Sequence, residues 1–167
     1  MSAALGGAVT AESGTPARAR GGRVLGVDLG SVHIGLALSD PTRTVASPHS
    51  VLRRAADHAA DHRTILDVAA EHAVTAIVVG LPLSLSGAKG PAARAAEAEI
   101  TELRAAAARA GGAVDVVAHD ERLTTITAER SLGEARLKRA DRRAVVDKVA
   151  AAVMLQSWLD RPGEHAP

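Results

Sequence analysis

Hydrophobic and polar residues follow a strand-like pattern in the first part of the chain. Apolar stretches at 23–30, 32–40 and 44–52 are short and closely spaced, and Pro48 interrupts the third. This spacing predicts three strands joined by tight turns. The third is expected at a sheet edge or bulge, because proline cannot donate to a sheet ladder. The three strands are therefore predicted to form an antiparallel meander.

The pattern changes to a helical period after residue 56. Apolar positions share one helical face at 57–73, and an Ala-rich stretch at 90–110 is expected to begin near Pro91 and end at Gly111 and Gly112. Apolar stretches at 75–82 and 113–121 predict the fourth and fifth strands. The prediction is completed by a short helix at 124–132, an irregular basic segment at 134–143 and a final helix at 144–159.

This order of elements predicts an α/β domain. Antiparallel strands followed by strand–helix–strand crossovers give a mixed five-stranded sheet flanked by helices. We expect one domain over 23–162. A tail at 1–22 shows no periodicity and is expected to be disordered, and a short tail follows at 163–167.

The composition of the 167 residues excludes several classes of function. Without cysteine, the chain has no disulfides, thiol nucleophiles or cysteine zinc sites. Trp158 is the only aromatic residue, so stacking of bases on Phe, Tyr or Trp rings is not expected. No apolar run reaches the roughly 18 residues that span a bilayer, and the N-terminus does not resemble a signal peptide. We therefore expect a cytoplasmic protein with no membrane partner.

Acidic residues occur in apolar elements, where an unpaired carboxylate is costly. Asp28 ends the first strand, Asp120 and Glu121 end the fifth, and Asp147 lies inside the last helix. Because side chains alternate along a strand, Asp120 and Glu121 cannot both face one site. Glu121 is the preferred ligand, although alternation alone leaves the choice open. Independent helix caps and ion pairs are the alternative interpretation of all these carboxylates.

A carboxylate set without imidazole or thiol suits a hard cation such as Mg²⁺ or Mn²⁺. Two such ions would clamp the attacking water and the leaving oxygen in phosphodiester hydrolysis. Cationic residues cluster before and within the last helix, and a glycine-rich loop follows the fourth strand, although the net charge is only +1. A plain turn and a solvated loop are the alternatives to phosphate binding at these two places. The candidate nucleic-acid contacts are Lys89, Arg122, Lys138, Arg139, Arg142, Arg143 and Lys148.

The histidines are scattered along the chain. His58 and His62 form an i, i+4 pair without the HExxH context, and we expect both to face solvent. His33 follows Asp28 closely and is expected to pack at the start of the second strand, with contact to a phosphate as the alternative. Trp158 is expected to anchor the core.

Four sequence blocks together resemble the YqgF family of bacterial RuvC-like proteins, also called RuvX or pre-16S rRNA nucleases. They are VLGVDLGSVHIGLALSD, IVVGLPLSLSGAKGPAA, HDERLTTITAERSL and VVDKVAAAVMLQSWLD, and they span about residues 23–160. The resemblance implies a ribonuclease H-like fold and an acidic metal-binding set of Asp28, Glu121 and Asp147. His33 departs from the family, which usually has Lys or Arg there; an unperturbed histidine is mostly neutral at neutral pH.

The function that the resemblance implies is a metal-dependent nuclease. We expect Asp28 to bridge two Mg²⁺ or Mn²⁺ ions, with Glu121 and Asp147 holding one each. The expected substrate is precursor 16S rRNA, and the alternative is a four-way DNA junction. A non-catalytic nucleic-acid- or helicase-binding module would keep the fold without the metal. A sugar kinase or actin-like ATPase also has a DxG turn but needs two such domains. The single aromatic residue and Ala-rich helices favour a monomer or weak homodimer.

Overall fold

The computed structural model describes residues 21–84, 86–120 and 139–161, and in the last of these ranges the side chains from residue 146 onward. The predicted tails, the predicted helix at 124–132, Glu121, Arg122 and Lys138 lie outside the described residues, apart from residues 21 and 22. The described helices and strands are, in chain order, β1 (Arg23–Leu29), β2 (His33–Ser39), β3 (Ala46–Arg53), α1 (His58–Glu71), β4 (Val74–Leu81), α2 (Pro91–Arg109), β5 (Asp115–Asp120) and α3 (Arg139–Asp160).

The strands form one mixed sheet in the order β3-β2-β1-β4-β5. β2 pairs antiparallel with both β1 and β3, whereas β4 runs parallel to β1 and β5. The predicted antiparallel meander and mixed five-stranded sheet are thus confirmed. Pro48 lies on the edge strand β3, where the pairing register with β2 shifts, as expected for a residue that cannot donate to the ladder.

The helix ends follow local chemistry. The side chain of Asp57 caps α1 by accepting a hydrogen bond from the amide of Ala59 at 3.0 Å. α2 begins with Pro91, and Gly111 and Gly112 beyond its end have φ values of 115° and 66°, which glycine adopts without strain. The expectation of an irregular segment up to residue 143 is wrong in its last part. α3 already begins at Arg139. The segment is basic and polar, but Arg and Ala both have high helix propensity.

The sheet has a core on each face because side chains alternate along its strands. α1 and α2 cover one face, where large aliphatic side chains dominate: Leu25, Val27, Ile34, Leu36, Ile77 and Val79 pack with Ile65, Ile100 and Leu103. α3 covers the other face, where Val24, Ala37, Ala76 and Val78 pack with Ala151, Met154, Leu155 and Trp158. Trp158 is 2% exposed, which confirms its predicted role as a core anchor.

Two glycines bring α3 close to the sheet. A methyl group on Gly26 would lie 2.8 Å from Cβ of Leu155, and one on Gly35 would overlap the backbone carbonyl oxygen of Asp147. Side chains at these positions would therefore push the helix away from β1 and β2. Within the described residues, no helix is long and apolar enough to cross a membrane.

Candidate active site

Asp28 and Asp147 meet where β1, β2 and α3 come together. Asp28 shares the α3 face of β1 with Val24 and Gly26, and its register partner across the ladder is Gly35 of β2. Gly35 in turn touches the backbone of Asp147 on α3. The glycine opposite Asp28 thus leaves room for the helix that carries the second carboxylate, and the sequence-predicted pair is brought together.

The electrostatics of this pair are unfavourable without a counter-ion. Burial, and to a lesser extent the charge of Asp147, together raise the pKa of Asp28 from 3.8 to about 6. Two neighbouring carboxylates, one at the end of a strand and one on a helix, are oxygen donors of the kind that hard divalent cations prefer. A bound cation would compensate the buried charge of Asp28 and the repulsion from Asp147, so the donors present fit the expected metal.

His33 lies beside the pair rather than only packing at the start of β2. Its Nδ1 is 3.3 Å from Oδ2 of Asp147, and the two side chains are 31% and 30% exposed. The imidazole is therefore a neighbour of Asp147 at the solvent-facing side of the site.

The contacts at the end of β5 show on which face of the sheet Asp120 lies. His119 is on the α3 face, with Nε2 3.4 Å from Oγ of Ser157 in α3. Asp120 is in register with Leu81, which packs against α2 through Ala93. Asp120 therefore belongs to the face opposite Asp28. Within the described ranges, no group of three or more Asp, Glu or His side chains could hold a metal ion. Glu121, the third expected ligand, lies outside those ranges.

The predicted phosphate contacts are described only in part. Nζ of Lys89 is 2.5 Å from Oε1 of Glu97 in α2, and both side chains are well exposed. Lys148 follows Asp147 on α3 and is partly buried. The backbones of three candidates lie in the first turns of α3, while their side chains are outside the description; these are Arg139, Arg142 and Arg143.

A buried charged cluster on the α1/α2 face was not predicted from the sequence. Nη1 and Nη2 of Arg54 donate to the two carboxylate oxygens of Glu99 at 2.5 and 2.9 Å, and Nη1 lies 3.4 Å from Oδ2 of Asp61. Nε of the same side chain donates to the carbonyl oxygen of Gly30 at 2.9 Å. No sequence spacing signals this cluster, since its members come from the residue after β3, from α1 and from α2.

The expectation that His58 and His62 both face solvent is wrong for His62. This residue is buried, whereas His58 one turn earlier is exposed. The histidines share a helical side, but α1 packs against α2 and buries His62, while His58 in the first turn stays exposed. Nε2 of His62 is 3.6 Å from Oε1 of Glu99, so the ring lies beside the charged cluster instead of facing water.

Comparison of the sequence with known proteins identifies a protein family. The family model described as "RuvX: Holliday junction resolvase" matches residues 22–161. A "Putative pre-16S rRNA nuclease" of Roseiflexus sp. (strain RS-1) is 42% identical over 139 residues, covering 83% of this chain and 94% of the relative. The protein of the same name from Mycobacterium tuberculosis (strain ATCC 25177 / H37Ra) is 42% identical over 149 residues. This match covers 88% of this chain and 84% of the relative.

Among solved structures, Thermus thermophilus RuvC in complex with a Holliday junction substrate aligns with a TM-score of 0.49 and 16% identity. The alignment covers 83% of this chain and 96% of that one. The family match extends over nearly all of the described residues, including Asp28 and Asp147. The chain therefore belongs to the RuvX family of nucleases.

Proposed function

We propose that this protein is a Mg²⁺- or Mn²⁺-dependent nuclease that processes precursor 16S rRNA in the cytoplasm. The observation that carries the proposal is the meeting of Asp28 and Asp147 across Gly35, with the pKa of Asp28 raised to about 6. A structural carboxylate pair would normally have a cationic side chain between its members. An arrangement that concentrates negative charge instead is typical of a metal-binding catalytic site.

The metal ligands in this proposal are Asp28, Glu121 and Asp147. The alternation of β5 supports Glu121, because His119 lies on the α3 face and the next position of the same parity is 121. The carboxyl ends of β1 and β5 also lie at the same sheet edge, since both strands run parallel to β4. When bound, two divalent cations would activate water and stabilise the leaving oxygen of a phosphodiester.

The protein's own contribution is to fix the carboxylates and attract the polyanion. Asp28 projects from the central strand of the sheet and Asp147 from a helix held by backbone contact at Gly35, so neither depends on a long flexible loop. Lys148 adjoins Asp147, and three arginines precede it on α3: Arg139, Arg142 and Arg143. These cations would bind phosphates with little dependence on sequence. Lys89 would join them after release of Glu97.

Holliday junction cleavage is the second candidate, and the description of the matching family favours it. Symmetric resolution of a four-way junction needs two active sites, which a C2 dimer supplies. We propose a monomer or weak dimer, because the composition offers few aromatic anchors for a stable interface. Light scattering at micromolar concentration, combined with cleavage of a labelled junction, separates the two functions. A tight dimer that makes paired symmetric nicks would put junction resolution first.

The decisive experiment compares cleavage of precursor rRNA, single-stranded RNA, duplex DNA and junction DNA in Mg²⁺, Mn²⁺, Ca²⁺ and chelator. Asp28→Asn and Asp147→Asn should each lower cleavage at least about a hundredfold, or about 2.7 kcal/mol of barrier. Asp67→Asn, which changes an exposed carboxylate on α1, is the matched control and should retain activity. Cleavage in chelator, or activity of Asp28→Asn within tenfold of the wild type, would contradict a metal-dependent site at these residues.

A further inference from the structure

We propose that Arg54 is a positioning residue of the active site, which acts by fixing the turn that follows Asp28. This inference rests on the proposed nuclease function. Arg54 reaches the turn between β1 and β2 with two groups: its backbone amide donates to the carbonyl oxygen of Val32 at 2.9 Å, and its Nε donates to that of Gly30 at 2.9 Å. Both acceptors lie within four residues of Asp28.

The turn is tightly built and connects both described carboxylates of the site. The amide of Gly30 donates to the carbonyl oxygen of Asp28 at 3.2 Å, and a methyl group on Gly30 would lie 2.5 Å from the carbonyl oxygen of His33. His33 in turn contacts Asp147. A displacement of this turn would therefore move the end of β1 and the neighbour of Asp147 together.

Side-chain packing leaves one side of the turn open. A cavity of about 410 Å³ lies on the α1/α2 side of the sheet, and its lining includes Gly30, Ser31, Arg54, Pro82 and Glu99. Next to such a space, apolar contacts hold the backbone weakly, so the hydrogen bonds from Arg54 carry more of the positioning.

The guanidinium is itself fixed from two helices. Glu99 of α2 accepts two of its N–H groups and Asp61 of α1 lies 3.4 Å away, and the side chains of both acids are buried. Asp61 also accepts the amide of Ala55 at 3.0 Å. A planar fork with several partners holds its orientation better than an ammonium group does. The cluster therefore connects α1 and α2 rigidly to the active-site turn.

Arg43 provides a matched control at the other end of β1. Arg43 is buried, and its Nε donates to the carbonyl oxygen of Gly22 at 2.7 Å while Nη2 donates to Oγ1 of Thr75 at 2.7 Å. Both arginines thus bind a glycine carbonyl beside the same strand, but Gly22 precedes β1 and Gly30 follows Asp28. Loss of either should destabilise the fold, whereas only loss of Arg54 should alter the site.

The experiment compares Arg54→Gln, Arg54→Lys and Arg43→Gln in the full chain, well below the Tm of each variant. Arg54→Gln should lower kcat on the best nucleic-acid substrate about 10- to 100-fold, with KM within about threefold, and should speed hydrogen exchange of amides at 29–34. Arg43→Gln should keep kcat within about threefold. Arg54→Lys keeps a cation beside Glu99 but not the fork, so it should recover most of the Tm but little of the kcat.

The possible failures are distinguishable. Equal kcat values for Arg54→Gln and Arg43→Gln, beside an active wild type, would overturn the positioning role and leave the proposed function standing. If Arg54→Gln does not fold, Arg54→Lys is the test. A wild-type kcat and wild-type hydrogen exchange at the turn in Arg54→Lys would likewise overturn the positioning role. A wild-type protein without metal-dependent cleavage of any substrate would overturn both proposals.

Discussion

The two faces of the sheet are built in different ways. On the α1/α2 face, large aliphatic side chains separate the helices from the strands, and the buried charges of Arg54, Asp61 and Glu99 neutralise one another. On the α3 face, Gly26 and Gly35 bring the helix backbone against the strands, and carboxylates gather without a described Lys or Arg contact between them. The apolar core of the first face mainly stabilises the fold, whereas the second face accepts an unfavourable charge arrangement at a site of proposed chemistry.

This difference separates two roles of close packing. Large side chains on the α1/α2 face remove apolar surface from water, which stabilises the fold. The glycines on the α3 face bury little surface of their own, but they set how near Asp147 can come to Asp28. Removing aliphatic side chains from the α1/α2 face should therefore lower stability alone, whereas substituting the α3-face glycines should lower both stability and activity.

The largest effect is expected for Gly35→Ala, which would place a methyl group over the carbonyl oxygen of Asp147. Because α3 must move to relieve this overlap, we expect a stability loss of about 3 kcal/mol and a fall in cleavage of at least about a hundredfold. Urea unfolding and single-turnover cleavage measure the two effects. Gly90→Ala is the control, since nothing lies within 4 Å of its added methyl group. Normal cleavage by Gly35→Ala would show that the helix position does not control the site.

Ile65→Ala tests the opposite face by removing a fully buried side chain of α1. The cavity should lower the free energy of unfolding by about 2–4 kcal/mol. Cleavage per folded molecule should stay within about threefold of the wild type, because α3 and its carboxylate are not displaced. A fall in activity as large as that of Gly35→Ala would mean that the two faces are not separable.

The architecture was predictable from the sequence because it depends on local patterns. Strand and helix periods gave the element order, and Pro48 placed β3 at the edge. The start of α3 was predicted too late, since a basic, polar segment resembles a loop even when its residues favour a helix. Asp28 and Asp147 were also accessible to sequence reasoning, because a carboxylate inside an apolar element needs an explanation.

The charged cluster was not predictable in the same way. Arg54 and Glu99 are 45 residues apart and lie on different elements, so no local period relates them. His62 was misjudged for the same reason. A helical pattern shows which residues share a side of α1, but only the packing of α2 shows how much of that side is covered.

A smaller effect is expected from the charge of Asp28 in the metal-free protein. Because the folded-state pKa is raised from 3.8 to about 6, the native state binds the proton more tightly than the unfolded state does. Stability of the wild type should therefore decrease as the pH rises from about 4 to about 6. Asp28→Asn should lose this dependence and be more stable at pH 7 by about 2–3 kcal/mol.

Thermal unfolding with chelator across this pH range measures the difference. Added Mn²⁺ should stabilise the wild type and leave Asp28→Asn nearly unchanged, since a ligand that binds only the native state raises its stability. Equal stability of the two proteins at pH 7 without metal would show that Asp28 is not under electrostatic strain.

The smallest effect is expected for His33→Ala, which removes the imidazole beside Asp147. The two side chains are about 30% exposed and 3.3 Å apart, and an ion pair in such a position contributes less than about 1 kcal/mol even when the histidine is protonated. The free energy of unfolding should change by no more than that, and Mn²⁺ affinity measured by calorimetry should stay within about threefold. A tenfold weaker affinity would show that His33 orients Asp147 for the metal, as a partner bonded to a metal ligand does. His33 would then belong to the site on the α3 face. Both faces would then contain polar side chains that orient one another, and the contrast in charge pairing between them would be smaller than the described contacts indicate.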